Sequence, residues 1–520
     1  MSHLARSSFI LAFFFGIDKI LGFTRASMVN RLFGLTYELD VFNAANNIPD
    51  LLSSLISGGA LGVAMIPVLS EFMERNGRKA AWDLFARILN FAFIATGLIA
   101  LVITIFAPWL VENVIAKGFP PEQKALTIEL MRLDLFAIMI FSISGLVMAG
   151  LQANQHFLLP ALAPSMYNLG QIFGAGYLAP EGKAFMGLAN FTGKGLGIHG
   201  IVYGVILGAF LHLLIQVPGL IRFKFRWAPR IDLKNPGVRQ VLSLLGPRVL
   251  TMFFIQMFFI VRDYVASFMN EGSITALNNG WFIMQVPETL LGTTVAIALL
   301  PTISEIFTRQ ETENFSKTIN GALRVILALT IPTALLMMAG INPLIKAAFG
   351  YTAEETARVV LATRIYLLGL TGHAMLEIAA RSFYAQQDAK TPLLAAFLNS
   401  LGYIGIVFLL SNWIGFAGVA LANIIAFTLE AILLLWWLNR RYPGIIKVSP
   451  TILRAVLSSV PLALLVYWLV EGPVLSGRGD WVRAGGAAGL MALGFLLTLP
   501  FIWKEIKLML TLGGERRSES

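Results

Sequence analysis

Hydrophobic segments of about 20 residues follow one another along this chain and are separated by short polar loops. A segment of that length crosses a bilayer as an α-helix, and the chain lacks the two-residue alternation typical of a membrane β-barrel. We therefore predict an all-α polytopic membrane protein with about fourteen transmembrane helices. Their approximate centres are residues 20, 55, 100, 140, 168, 208, 255, 290, 332, 370, 401, 427, 460 and 492.

The composition fits a membrane protein. Of the 520 residues, 57% are hydrophobic and 13% are charged, whereas a soluble domain carries about 25% charge. The absence of cysteine excludes disulfides and thiolate metal sites. The first residues lack a cleavage site of small residues, so we predict no removable signal peptide.

The net charge of +10 is explained by membrane orientation better than by nucleic-acid binding. Lys and Arg concentrate in alternate loops, which predicts that these loops and both termini lie in the cytoplasm. The richest loop, residues 222–239, is interpreted as an orientation signal and a linker; binding of anionic lipid is the alternative.

An internal repeat predicts two related lobes. VAMIPVLSEF, at 63–72, matches IALLPTISEIF, at 297–307, so that Pro67 pairs with Pro301. ANQHFLLP, at 153–160, resembles AQQDAKTP, at 385–392. Each repeat holds six predicted helices, an even number, so the lobes should share one orientation around a central cavity. The predicted domains are lobes at 1–225 and 226–445, followed by two helices and a cytoplasmic tail at 446–520.

Charged residues within the first two predicted helices indicate a hydrated cavity, because a charge at the centre of a membrane helix costs roughly 2.5–3.5 kcal/mol. The first helix carries Asp18, Lys19 and Arg25, and one face of the second carries Asp40, Asn43, Asn47 and Asp50. Three structural alternatives stay open. Lys19 and Arg25 could snorkel to an interface, Asp18 could neutralise one of them, and Asp50 could cap an amide freed by Pro49.

The second lobe has polar positions of its own. Gln285 and Glu288 share one face of the eighth predicted helix, and Glu377 lies in the tenth. Arg262 and Asp263, late in the seventh, are interpreted either as cavity residues or as an ion pair near the outer boundary. The chain lacks the common metal, nucleotide and nucleophile motifs, so we predict neither an enzyme nor a cofactor.

The first two predicted helices resemble those of a known family. DKILGFTRASMVNRLFG followed by ELDVFNAANNIPDLLSSLISGGALGVAMIPVLSEF is similar to the start of the lipid II flippases, MviN/MurJ. MRLDLF and FYAQQDAKTP also fit, and the similarity follows the chain in order. It implies the multidrug/oligosaccharidyl-lipid/polysaccharide exporter superfamily, a bacterial inner membrane, and export of an undecaprenyl-diphosphate-linked sugar-peptide without covalent chemistry.

The resemblance also implies a cavity lined by cations that bind the diphosphate. Lys19, Arg25 and Asp40 match family positions. Three positions depart from the family pattern, because an arginine is expected at Ser53, an arginine at Phe282 and a lysine at Glu377. Arg262 is our conjecture for a replacement cation.

Three hypotheses compete on these residues. The first is a flippase for the lipid-linked peptidoglycan precursor, working by alternating access among membrane lipids. The second is a cation-coupled exporter of drugs or of another lipid-linked oligosaccharide. The third is a transport-inactive relative that binds proteins of cell-wall synthesis. The coupling ion, Na⁺ or H⁺, is left open.

Overall fold

The structure, a computed structural model, describes residues 3–56, 60–472, 474–475 and 477–512. Within these ranges the chain is almost entirely helical, and the β-structure amounts to one isolated bridge, Lys183–Thr192. The α-helices are α1 (His3–Phe33), α2 (Tyr37–Ile56), α3 (Ala60–Leu110), α4 (Pro121–Ala153), α5 (Leu158–Phe173), α6 (Gly197–Leu214), α7 (Val217–Arg222), α8 (Pro236–Ala266), α9 (Ser273–Pro287), α10 (Thr294–Thr308), α11 (Thr312–Phe349), α12 (Ala353–Leu368), α13 (Leu370–Ala385), α14 (Lys390–Arg441), α15 (Ser449–Glu471), α16 (Asp480–Thr498) and α17 (Trp503–Leu512).

The prediction of a polytopic helical membrane protein is confirmed. In the described ranges, nine helices are long and apolar enough to cross a membrane, or ten if the bent pair α12 and α13 forms one span. Each of the fourteen predicted centres also falls in a helical stretch, including the π-helical turn at Glu288–Thr293. α1, the polar α2 and the short α5 fall outside the count, and α14 holds two predicted centres, so a total near fourteen is consistent with the structure.

Two of the long helices are bent at glycine. In α3, Gly77 has φ 79°, and in α14, Gly415 has φ 55° and ψ −132°. Residues with a Cβ rarely adopt such angles. Each helix has more than 50 residues, which is over twice what a straight crossing requires. The bend in α14 lies between the eleventh and twelfth predicted centres, so it separates two spans.

The chain divides into two compact units, Met1–Gly272 and Ser273–Ser520. In the first unit, α3 and α4 pack together around Phe85 and Leu146, and α8 adds Val238 to this core. The segment after α7 is also fixed to α3, since Asn90 binds the carbonyls of Ala228 and Arg230. This loop, predicted as a linker, is therefore an ordered part of the unit.

In the second unit, α11 is the central helix. Its Phe315 and Ile319 pack with residues of α10, α13 and α14. A buried carboxylate, Glu505 of α17, accepts hydrogen bonds from Arg324 of α11 at 2.7 Å and from Thr451 of α15 at 2.8 Å. An ion pair can be held in such a place because each charge has hydrogen-bonded partners.

The sequence repeat is visible in local structure. The unit-one pair Glu71–Arg75 and the unit-two pair Glu305–Arg309 are i,i+4 ion pairs at matching repeat positions. Gln155, after α4, and Gln387, after α13, both have positive φ, at 57° and 59°. The predicted lobe boundaries at 225/226 and 445/446 and the parallel relation of the lobes stay predictions.

Candidate functional site

In the first unit, Asp18 and Arg25 of α1 both bind α5. The side-chain amide of Asn168 donates to Asp18 Oδ1 at 2.8 Å, and Arg25 Nη1 donates to Gln171 Oε1 at 3.2 Å. They can do so because residues seven apart on α1 share a face, as do residues three apart on α5. Asp18 thus has an amide partner, and no ion pair with Lys19 or Arg25 forms in the described part of the chain. The structural neutralisation considered for Asp18 is wrong.

Arg25 is half-buried, and its bond to Gln171 is the one hydrogen bond that its guanidinium makes to the described residues. A guanidinium has five N–H donors in a planar fork. Most of this capacity is therefore unused, which is an arrangement suited to an incoming anion with several oxygen acceptors.

Two carboxylates are connected to Arg25 by electrostatic interactions, Asp50 directly and Asp134 through Asp50. Asp50 of α2 is exposed and is attracted by Arg25. Asp134 of α4 is 2% exposed and repels Asp50 electrostatically. Tyr167 of α5 interacts with all three charged groups. The group formed by Arg25, Asp50, Asp134 and Tyr167 is called the unit-one polar group below.

Other predicted residues of α2 are structural contacts. Asp40 is buried, and its carboxylate accepts a hydrogen bond from the Gly272 amide at 2.7 Å. Asn47 is buried and donates to Asp263 Oδ2 at 2.9 Å. Asp263 also pairs with Arg262 at 2.7 Å, and the side chains of this pair are 1% and 3% exposed. The ion-pair interpretation of Arg262 is confirmed, and the pair is buried within unit one; its place near the outer boundary of the membrane stays a prediction.

Three further predicted residues are less buried. Lys19 is exposed, whereas Asn43 and Ser53 are half-buried. Lys19 therefore adds a cation two turns before Arg25, while Ser53 adds none on α2. The roles of all the predicted side chains in transport stay predictions.

In the second unit, the predicted carboxylates meet a cation that sequence reasoning missed. Arg381 of α13 pairs with Glu377 one turn earlier and also donates to the Glu377 carbonyl at 3.4 Å. Glu288 attracts Arg381 and accepts a hydrogen bond from Thr293 at 3.0 Å. Gln285, three residues before Glu288, is exposed, and Phe282 is half-buried. Glu288, Glu377 and Arg381 are called the unit-two polar group.

Two sequence signals could have pointed to the missed residues. Arg381 lies four residues after Glu377, which is the spacing of a helical ion pair. Asp134 lies in MRLDLF, inside an apolar segment, which marks a functional candidate in a membrane helix. Gln171 gave no signal, because an amide in an apolar helix is a common packing residue. Within the described ranges, no group of three His, Cys, Asp or Glu could hold a metal ion.

The arrangement offers binding without covalent chemistry. Arginine and lysine side chains stand beside carboxylates on helices that are otherwise apolar, which is typical of a transporter that carries a charged compound.

The fold defines the class more closely. A solved structure titled lipid II flippase MurJ, inward closed conformation, has a TM-score of 0.78 at 23% identity, covering 96% of this chain and all of the other. An inward-facing multidrug transporter of the MATE family has a TM-score of 0.67 at 13% identity, covering 84% and 98%. The chain thus has the fold of these multi-pass exporters.

The family follows from sequence. The family model for lipid II flippase MurJ matches residues 29–476. The lipid II flippase MurJ of Burkholderia cenocepacia is 29% identical over 93% of this chain and 92% of its own. The probable lipid II flippase MurJ of Rhizobium tropici is 27% identical over 92% and 89%. This chain belongs to the lipid II flippase MurJ family and is a multi-pass inner-membrane protein, so the resemblance seen in the first two helices is confirmed.

Proposed function

We propose that this protein moves undecaprenyl-diphosphate-linked peptidoglycan precursor, lipid II, across the inner membrane by alternating access. The observation that supports this most directly is Arg25, whose guanidinium is half-buried and largely uncommitted. A diphosphate that leaves water needs charged donors to offset the loss of hydration. Arginine supplies them in a geometry that fits two phosphate oxygens at once.

The neighbours of Arg25 favour a role in binding over a role in folding. Asp18 is satisfied by Asn168, so loss of Arg25 would not leave that carboxylate without a partner. Asp50 is attracted by Arg25 but forms no hydrogen bond with its guanidinium in the described part of the chain, so the two are not a tightly bound structural pair. Arg262 is less suited to the head group, because it is buried against Asp263. Lys19 and Arg25 are therefore our proposed cations of unit one.

The rest of the proposal concerns orientation and partners. Both termini lie in the cytoplasm, as the distribution of Lys and Arg over the loops predicts. The cargo's lipid tail stays among membrane lipids while the head group crosses. A transporter of this kind works without covalent catalysis, and proteins of cell-wall synthesis are proposed as its partners.

The test is complementation of a flippase-depleted bacterium by Arg25 variants. Arg25→Ala should abolish rescue, since a hydrogen bond to a charged group contributes roughly 1.5–3 kcal/mol, which is about ten- to hundredfold in binding. Arg25→Lys keeps the charge without the planar fork and should rescue partly. Ser53→Arg should be tolerated, because Ser53 is only half-buried and the family has arginine there.

Arg75→Ala is the matched control. Arg75 is 77% exposed and pairs with Glu71 on the same helix, where such pairs contribute little. Membrane abundance of each variant and binding of labelled precursor to purified protein complete the measurement. Normal abundance, full rescue and normal binding by Arg25→Ala would contradict the proposal. Drug resistance without rescue by the parent chain would favour the exporter hypothesis instead.

A further inference from the structure

Asp134 is a buried carboxyl group to which none of the described residues donates a hydrogen bond. It lies near the middle of α4 and is 2% exposed, and both of its carboxyl oxygens are buried without a donor from the described part of the chain. An ionised carboxylate in such a place costs several kcal/mol unless it is paired. The group therefore needs a cation, and a proton is the cation that fits a site without additional ligands.

The surroundings of Asp134 favour the proton. Its helix neighbours Leu135 and Ile138 pack with Leu52 of α2 and Ala100 of α3. On the opposite side, Ala137 packs with the α6 residues Val205 and Ala209. These stretches of α3 and α6 are apolar. A sodium ion prefers several oxygen ligands, and the described residues bring no third carboxylate to this point.

The titratable groups around Asp134 lie on two helices, α2 and α5, and a third helix, α1, carries the arginine that acts on both of them. Asp50 of α2 repels it, and Tyr167 of α5 lies within electrostatic reach. Arg25 of α1 acts on Asp50 and Tyr167. With both aspartates ionised, the charge of Arg25 is exceeded, and an arriving diphosphate would meet a net negative group. A proton on Asp134 makes the group neutral, so that an arriving diphosphate is no longer repelled by a net negative charge.

We propose that Asp134 is a proton-binding site of unit one that couples proton movement to the binding and release of the anionic head group at Arg25. The conformation described here holds the protonated form. When water reaches Asp134, through the side of Asp50, the proton leaves as hydronium, the unit-one polar group becomes net negative, and the repelled anion is released from Arg25. The coupling rests on the proposed flippase function, whereas the proton site itself does not.

The first test is the pH dependence of thermal unfolding of the purified full-length protein in detergent. If the folded protein keeps a proton on Asp134 that the unfolded chain has lost, folding takes up a proton, and stability falls as pH rises above the ordinary aspartate range, near 3.9. The unfolding equilibrium should shift by up to tenfold per pH unit through this one group. Asp134→Asn cannot ionise, so its melting temperature should lack this part of the slope and exceed that of the parent at neutral pH.

Glu129→Gln is the matched control, because Glu129 lies on the same helix but is 61% exposed beside His199; it should keep the parent slope. Identical slopes for the parent and Asp134→Asn would overturn the proposal. So would a stabilisation by NaCl, relative to choline chloride, that Asp134→Asn abolishes, because the site would then bind sodium. If Asp134→Asn does not fold, Asp50→Asn is used as the test variant in its place. Removing the repelling charge should move the fall in stability to a lower pH range, and an unmoved curve contradicts the assignment.

The second test measures flipping in proteoliposomes. The probe is a fluorescent undecaprenyl-diphosphate-linked sugar, with and without an imposed pH gradient. The parent should respond to the gradient severalfold, whereas Asp134→Asn should flip at a rate independent of it. A gradient response retained by Asp134→Asn would overturn the coupling. If neither protein moves the probe while the unfolding results hold, the flippase function fails and the proton site stands.

Discussion

The arginines of this chain differ by what they already bind. Arg25 and Arg262 both interrupt apolar segments, so their sequence contexts are alike. Arg262 is 3% exposed and paired with Asp263, whose other oxygen binds Asn47. Arg25 has a single amide partner. Removing one member of a buried pair destabilises a fold because a charge is left uncompensated, whereas removing Arg25 mainly removes unused donors. The degree of burial distinguishes the structural arginine, Arg262, from the available one, Arg25, and burial cannot be read from sequence spacing.

The unit-two polar group gives a prediction at the residue scale. Arg381 compensates both Glu288 and Glu377. Arg381→Ala should leave two carboxylates that repel an anionic head group, so precursor binding should fall at least about tenfold at normal membrane abundance. Arg381→Lys should recover part of the loss. Complementation and binding of labelled precursor provide the measurement.

Arg309→Ala is the control for that prediction. Arg309 forms an i,i+4 pair with Glu305 in the same unit but is 64% exposed, so it should behave as the parent does. If Arg381→Ala also behaves as the parent does, the unit-two polar group contributes only a surface ion pair, and the cations of unit one act alone.

At the scale of helices, the positions of the membrane-spanning segments were easier to predict from sequence than the points at which helices bend. Hydrophobic length placed each predicted centre inside a helical stretch. The bend of α14 was not predictable, because Gly402, Gly405 and Gly415 all lie in the same apolar run and only Gly415 has positive φ. Which glycine bends depends on how both halves of α14 pack against the rest of unit two. Local propensity holds no such information.

This difference gives a prediction for α14. Gly415 has φ 55° and ψ −132°, which an alanine resists, and a Cβ there would meet nothing within 4 Å. Gly415→Ala should therefore destabilise the protein by roughly 1–3 kcal/mol through the backbone alone. Gly402→Ala is the control, because that position is helical and equally open, and it should be neutral or stabilising by up to about 1 kcal/mol. Thermal unfolding in detergent compares them; equal effects would contradict the assigned bend.

At the scale of the whole molecule, the repeat was predictable because the matching residues determine the same local geometry in both copies. The turns after α4 and α13 both contain a glutamine at positive φ, at 57° and 59°. They also share a backbone bond, from His156 to the Leu151 carbonyl and from Asp388 to the Phe383 carbonyl. The charged groups were less predictable, since the electrostatic environments of Asp134 and Arg381 depend on residues that are far away in sequence.

Membrane orientation gives the last prediction. If both termini are cytoplasmic, the segment between α5 and α6 lies outside and the segment before α8 lies inside, because Lys and Arg favour the cytoplasmic loops. Gly182 is exposed in the first of these segments, and Pro236, the first residue of α8, is exposed at the end of the second. A Cβ at Gly182 would meet nothing within 4 Å. The chain has no cysteine, so Gly182→Cys and Pro236→Cys each give a single label site without background.

In intact cells a membrane-impermeant maleimide should label Gly182→Cys and spare Pro236→Cys until the membrane is opened. The parent chain is the blank, and a permeant maleimide confirms that both cysteines react. Labelling of both variants in intact cells, or of Pro236→Cys alone, would reverse or reject the orientation, and the side from which the head group reaches Arg25 would have to be reassigned.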